Sequence, residues 1–370
     1  MFGKLVLAGA ISLAVLGGVL LIFAATPETK AVRIGALIPL SGSAAIYGDS
    51  MRKGIELAAG EINSGGGING RKLEIVYADS KGDAKEALAS FRAFDNEVPA
   101  VITAISSVVL AVAPLAEKRR TILLNIGAKN PDISQAGDYV FSNIPNSGSD
   151  EQAFASFVRN ELAIGSVATL SVNNDYGVGT SQAFSEFFKA DGGIIVAAES
   201  YEGNAKDFRT QLIKIKNAGP EGIFVVGYEE QGLILKQARE LGINATWLAP
   251  EGFAQPEIIR LAGGAAEGVI FHAPHFDQNS SPAARSFLEK WALANSKKPD
   301  IYAANAYDAV MLLADAISES GNDAERIKHW LYSVRGWPSV TGPSSFDGNG
   351  NVIKSIAIMT VADGEFRKLR

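Results

Sequence analysis

Val32–Gly70, VRIGALIPLSGSAAIYGDSMRKGIELAAGEINSGGGING, is the stretch that decides the fold. Val32–Leu40 is a short, almost wholly apolar run, the pattern of a strand buried on both faces of a parallel sheet. Pro39, Ser41, Gly42 and Ser43 end it in a turn. From Tyr47 the period becomes helical, with Met51, Ile55, Leu57, Ala58 and Ile62 on the apolar face. A Gly-rich connection and a second apolar run, Leu73–Ala78, complete a βαβ unit. Ligands of open α/β sheets sit just beyond the carboxyl ends of strands, the place that Ser41–Tyr47 occupies.

The chain has 370 residues, enough for two domains of about 150 residues each. An apolar content of 47% and a charged content of 20% are those of a globular protein. A net charge of −6 offers no basic footprint for nucleic acid. The absence of cysteine excludes disulfides, thiol catalysis, Cys-based metal sites and a lipidated N-terminal cysteine. Leu5–Ala25 is an uncharged run preceded by Lys4. Its length exceeds the usual signal-peptide core and suits a membrane anchor, and the cleavage signal around Ala25 is poor, so both readings stay open. Either one places residues 31–370 outside the cytoplasm, in the periplasm or at the cell surface.

Beyond the linker Thr26–Ala31, strands at 32–40, 72–79, 99–106, 121–127 and 139–145 alternate with helices at 47–63, 83–96 and 108–118. A break at Pro145–Asp150 leads into a second alternating set, which ends with a strand at 268–273. Helices at 281–296, 302–319 and 324–334 follow without strands between them. The tail reads as β, from Ser345–Asp347 through Val352–Val361 to Glu365–Leu369, with Asp363-Gly364 as a hairpin turn. Two alternating sets imply two α/β lobes, each a mostly parallel sheet flanked by helices.

The run I-G-A-L-I-P-L-S-G-x-x-A-x-Y-G from Ile34, followed by E-I-N-x-x-G-G-I-N-G from Glu61, resembles the opening of the leucine/isoleucine/valine-binding protein family. These are type I periplasmic solute receptors of ABC transporters. The resemblance covers the whole chain after the linker and implies three crossings between lobes, near 146, 274 and 340. Residues 31–145 and 275–339 would form lobe 1, and 146–274 with 340–370 lobe 2.

Motifs for an enzyme are missing: there is no G-x-S-x-G, no G-x-x-x-x-G-K-[ST] and no H-E-x-x-H. Gly65-x-Gly67-x-x-Gly70 fits the dinucleotide fingerprint but follows a helix and precedes a strand, the reverse of what phosphate binding needs. His272 and His275 lie three apart beside Pro274, where hinge packing is the simpler reading than a metal pair. No catalysis, cofactor or metal is expected.

A receptor for a zwitterion must satisfy both a carboxylate and an ammonium away from water. Hydroxyls and backbone N–H groups at a helix start suit the carboxylate, and Ser106 and Ser107 stand where a buried strand opens into a helix. Either serine could instead be only an N-cap. The resemblance places the carboxylate-binding serine at Ser106, and the carbonyl that meets the ammonium at Gly127. It places Lys129 where the family commonly has a threonine. Lysine accepts no hydrogen bond from an ammonium and repels it, so either Lys129 points to solvent or the ligand carries an extra acid group or no amine. Glu251, between Pro250 and Gly252, falls on the family's acidic partner of the ligand ammonium. Tyr47, Tyr176 and Tyr228 sit at strand ends, where rings can pack on ligand carbons.

The expected function is that of an exported receptor of an ABC importer, probing for a branched-chain or related amino acid and closing on it by a hinge. A non-amino carboxylate or diacid is the competing ligand class. The expected partners are the permease and ATPase subunits, and the receptor is expected to be a monomer. Few residues precede Leu5 and none follow Arg370, which speaks against a sensor with its own output domain. Sensing through a partner protein stays open.

Overall fold

The computed structural model describes residues 30–94, 98–145, 147–274 and 276–369. Leu5–Ala25 and His275 lie outside them. Among the described residues no helix is long and apolar enough to cross a membrane.

The first alternating set folds as β1 (Val32–Ile38), α1 (Ala45–Ser64), β2 (Leu73–Asp79), α2 (Ala84–Arg92), β3 (Ala100–Thr103), α3 (Ser106–Arg119), β4 (Ile122–Asn125) and β5 (Val140–Ser142). Its five strands form a parallel sheet in the order β2-β1-β3-β4-β5. The apolar run of β1 is buried on both faces except at Arg33, as a strand covered by helices on both sides must be. β3 and β4 are shorter than their apolar runs suggest. The backbone turns away at Ile105, which adopts φ 70°, and the Asn125 side chain accepts hydrogen bonds from the amides of Gly127 and Ala128. The glycine-rich segment after α1 is a helix-to-strand turn, closed by a bridge between Ile68 and Arg71.

The second set comprises α4 (Ser147–Asn160), β6 (Ser166–Val172), α5 (Asp175–Ala190), β7 (Ile194–Tyr201), α6 (Arg209–Ala218), β8 (Gly222–Val226), α7 (Gln231–Glu240), β9 (Thr246–Ala249), α8 (Pro256–Ala262) and β10 (Ile270–Ala273). Three helices follow, α9 (Pro282–Ala294), α10 (Ile301–Ser320) and α11 (Ala324–Ser333), and then β11 (Ala357–Ala362) and β12 (Glu365–Lys368). The second sheet runs β12-β11-β10-β9-β8-β6-β7, with β11 antiparallel to both β10 and β12 and the other pairs parallel. Its parallel part, β7-β6-β8-β9-β10, repeats the order of the first sheet strand for strand. At the β11–β12 turn Asp363 and Gly364 both have positive φ, the I′ pattern expected of that dipeptide.

α10 returns to the first sheet and packs along α1. The helices approach so closely that a Cβ on Gly54 would lie 2.2 Å from the carbonyl oxygen of Ala303. A backbone atom has no rotamer with which to give way, so position 54 admits only hydrogen there.

One boundary differs from the sequence reading, which started the last lobe-2 segment at 340. Ser142 at the edge of the first sheet accepts from the amide of Val352 at 2.9 Å and donates its own amide to Gly350 at 2.8 Å. Asp308 on α10 accepts from the amides of Val340 and Thr341. Residues 337–352 therefore stay on the first sheet, and Ser345–Asp347 contributes one isolated bridge, Phe346 to Val352, rather than a lobe-2 strand. The third crossing comes after Val352.

Lys354 sits at that crossing and donates to Thr341 Oγ1 at 2.7 Å and to the Asn143 carbonyl at 3.4 Å, tying the third crossing to the first. Burial pulls its ammonium down to about 8, against the pull of Asp308, and burial pushes the Asp308 carboxyl up to about 6. Between pH 8 and the ordinary lysine value near 10.4, the unfolded chain holds a proton on Lys354 that the folded chain does not. Stability relative to Lys354→Met should therefore rise with pH across that window, by about 1–3 kcal/mol. Urea unfolding of both proteins from pH 7 to 10.5 measures it, and a difference that is flat or falls with pH would contradict the burial of this ammonium.

Candidate functional site

Each sheet has a switch point, where successive strands are added to opposite sides and a crevice opens at the strand ends. In the first sheet it lies between β1 and β3, in the second between β6 and β8. The β1 loop leads to Tyr47 near the start of α1, and β3 leads through Ile105 to Ser106. β6 leads to Tyr176 in the first turn of α5, and β8 to Tyr228. The next strand of each sheet supplies the remaining loops, Gly127–Lys129 after β4 and Glu251–Gly252 after β9.

These loops enclose a small cavity. Tyr47, Ser106, Gly127, Lys129, Tyr176 and Tyr228, all singled out from the sequence, line it. Met51, Ile105, Gly252 and Tyr302 complete the wall. Ser107 is half-buried and not part of the wall, and Glu251 is buried without lining it.

The tyrosines form one cluster across both halves. The Tyr47 ring meets Tyr302 at 4.9 Å and Tyr228 at 5.8 Å, both edge-on, and Tyr228 meets Tyr176 at 5.5 Å. Tyr47 Oη donates to the Gly252 carbonyl at 3.3 Å. A Cβ at position 252 would meet Tyr176 Oη at 2.4 Å, which explains the glycine. Burial raises the hydroxyls of Tyr47, Tyr176 and Tyr302 well above the ordinary tyrosine range, so they act as neutral donors. Tyr176 Oη is buried without a hydrogen-bond partner.

Ser106 opens α3, whose first amides have no partner within the helix. Its Oγ accepts from the amides of Lys129 at 3.2 Å and Asn130 at 3.1 Å, which leaves the hydroxyl proton free to be donated. Ile105 before it holds a left-handed φ of 70°, a strained state for a β-branched residue, costing on the order of 1–3 kcal/mol. That backbone aims the start of α3 at the cavity.

Lys129 does not point to solvent. It is 5% exposed, and its Nζ donates to the Pro145 carbonyl at 2.9 Å and to Asp150 Oδ2 at 2.8 Å, and lies 2.6 Å from Glu251 Oε2. Burial opposes its charge, but Asp150 and Glu251 outweigh burial and hold the ammonium charged far up the pH scale. Asp150 had no sequence signal beyond a helix start. His272 pairs with Glu151 at 2.9 Å. Among the described residues no group of three or more potential metal ligands occurs.

Tyr302, Met51 and Ile105 were invisible as site residues in the sequence, because Tyr302 and Ile105 stand in apolar runs and Met51 on an apolar helix face, all of which read as core. Tyr302 reaches the cavity only through the return of α10 to the first sheet.

Residues 31–365 match the family model described as periplasmic binding protein. The leucine-, isoleucine-, valine-, threonine-, and alanine-binding protein of Pseudomonas aeruginosa is 29% identical over 328 residues, 87% of either chain. The crystal structure of a leucine binding protein from Thermotoga maritima superposes with a TM-score of 0.87 at 29% identity, covering 92% of this chain and 98% of that one. A branched-chain amino acid transporter substrate binding protein from Streptococcus pneumoniae, solved in complex with isoleucine, gives 0.83 at 30% identity, covering 91% and 98%.

The two serines should separate in a simple comparison. Ser106→Ala leaves two buried amides without an acceptor and should cost about 1–3 kcal/mol of stability. Ser107→Ala should stay within about 0.5 kcal/mol. Denaturant midpoints of both variants check this, and equal effects would contradict the bonding of Ser106.

Proposed function

The chain belongs to the periplasmic binding protein family, and on that premise we propose that it is the extracytoplasmic solute receptor of an ABC importer. The solute is a small carboxylate with an apolar body, the shape shared by the leucine and isoleucine in the names of its relatives. One observation carries this reading: the loops at both switch points converge on a single cavity walled by tyrosines and the start of α3. The solute carboxylate would take the Ser106 hydroxyl and the free amides of α3, and its apolar body would lie against Met51 and the rings of Tyr47, Tyr176, Tyr228 and Tyr302.

Closure joins the two halves through Tyr47 and Gly252, through Asn130 Nδ2 and the Asp175 carbonyl at 2.7 Å, and through Gln255 Nε2 and Asp300 at 2.9 Å. Such a closed surface is what permease and ATPase subunits would distinguish from an open one. The protein works outside the cytoplasm, with Leu5–Ala25 as its signal or its tether to the membrane. It binds its solute and releases it unchanged.

Thermal unfolding of the full chain against branched-chain amino acids, short aliphatic acids, dicarboxylates and aromatic acids tests this. A true solute at 100 times its dissociation constant adds about 2.7 kcal/mol and raises the midpoint. No response to any of them, or recovery of the solute chemically altered, would overturn the receptor reading.

A further inference from the structure

The wall of the cavity carries one charged side chain, and it is a cation. Of the ten lining residues only Lys129 is ionised; neither Asp150 nor Glu251 is among them. Both acids are nearly fully buried and turned to Lys129 Nζ, at 2.8 and 2.6 Å. Nζ donates to Asp150 Oδ2 and to the Pro145 carbonyl at 2.9 Å, and its contact with Glu251 is an ion pair. A solute carboxylate reaching for Lys129 would meet two carboxylates already paired with it, and Glu251, shielded behind it, already has a cation. An α-ammonium entering this cavity would be desolvated beside a like charge, with no carboxylate on the wall to receive it. A carboxylate, in contrast, keeps the Ser106 hydroxyl, the first amides of α3 and the buried, unpartnered Tyr176 hydroxyl.

Resting on the receptor reading above, we infer that the solute lacks an α-ammonium: it is a small monocarboxylate with an aliphatic or aromatic body, and the protein's own Lys129 fills the place of a solute cation. The apolar wall of four tyrosines and Met51 suits such a body, and the rings need no cation to pack on it.

Titration calorimetry of the full chain with pairs differing only in the amine decides this: leucine against 4-methylpentanoate, and phenylalanine against 3-phenylpropanoate. The amine-free member of at least one pair should bind at least about 100-fold tighter, since opposing like charges in a dry site costs several kcal/mol. Leucine or phenylalanine binding as tightly as its partner would overturn the inference and leave the receptor reading intact. Binding by no member of either pair, nor by the wider panel of carboxylates, would overturn both. Lys129→Thr, which releases Glu251, should gain at least about tenfold in leucine affinity. A folded Lys129→Thr protein with unchanged preference would remove Lys129 from the explanation, and if that variant fails to fold, the wild-type pairs still decide.

Discussion

One buried ammonium organises the centre of the molecule. Lys129 comes from a loop of the first sheet, whereas Asp150 and Glu251 come from α4 and from the loop after β9. Desolvating three charges is expensive, and an ion pair in such a place contributes to stability only when its geometry is complete. Here the ammonium has two hydrogen-bond acceptors and a second carboxylate 2.6 Å away. Removing any one partner would leave a buried charge exposed to the full desolvation penalty, so these residues act as a unit. The same contact decides where the halves meet, because it forms only when the two loops are brought together.

The repeated strand order explains why chemistry gathers at this place. In both sheets the chain runs outward by one strand and then back past its start, and the strand ends at that reversal face each other across the cavity. The two halves differ in charge. The first sheet presents a helix start, a serine and a lysine, the second two buried acids, and each side gives two of the tyrosines. A cavity between such halves is polarised before any solute enters, which favours one orientation of a carboxylate.

Much of this was legible in local pattern. The apolar run of β1, the switch to helical period at α1 and the turn residues between them specify a βαβ unit by sterics and burial alone. Six of the eight residues singled out lie on the cavity wall: strand ends can be read from periodicity and the wall is built there, while Gly127 and Lys129 were marked by the family resemblance. What escaped depends on long-range return of the chain. Tyr302 sits in the apolar helix α10, and nothing in its neighbourhood separates it from the core. Asp150 looks like an ordinary helix-start acid until Lys129 is folded against it. The third crossing was set too early, since the attachment of residues 340–352 to the first sheet rests on Asp308 and on the edge of β5, far away in sequence.

Internalising the cation changes how closure and binding share free energy. A zwitterionic solute brings its own ammonium, so an acid on one lobe is satisfied only in the loaded closed form. With Lys129 in that role, the bond between lobes belongs to the protein and favours closing whether or not a solute is present. A solute shifts an equilibrium only by its differential affinity for the two forms. On the inference drawn above, that difference must come from groups which closure alone leaves unsatisfied: the amides at the start of α3, the Ser106 proton and the Tyr176 hydroxyl. These are donors, and they are met together by a single carboxylate.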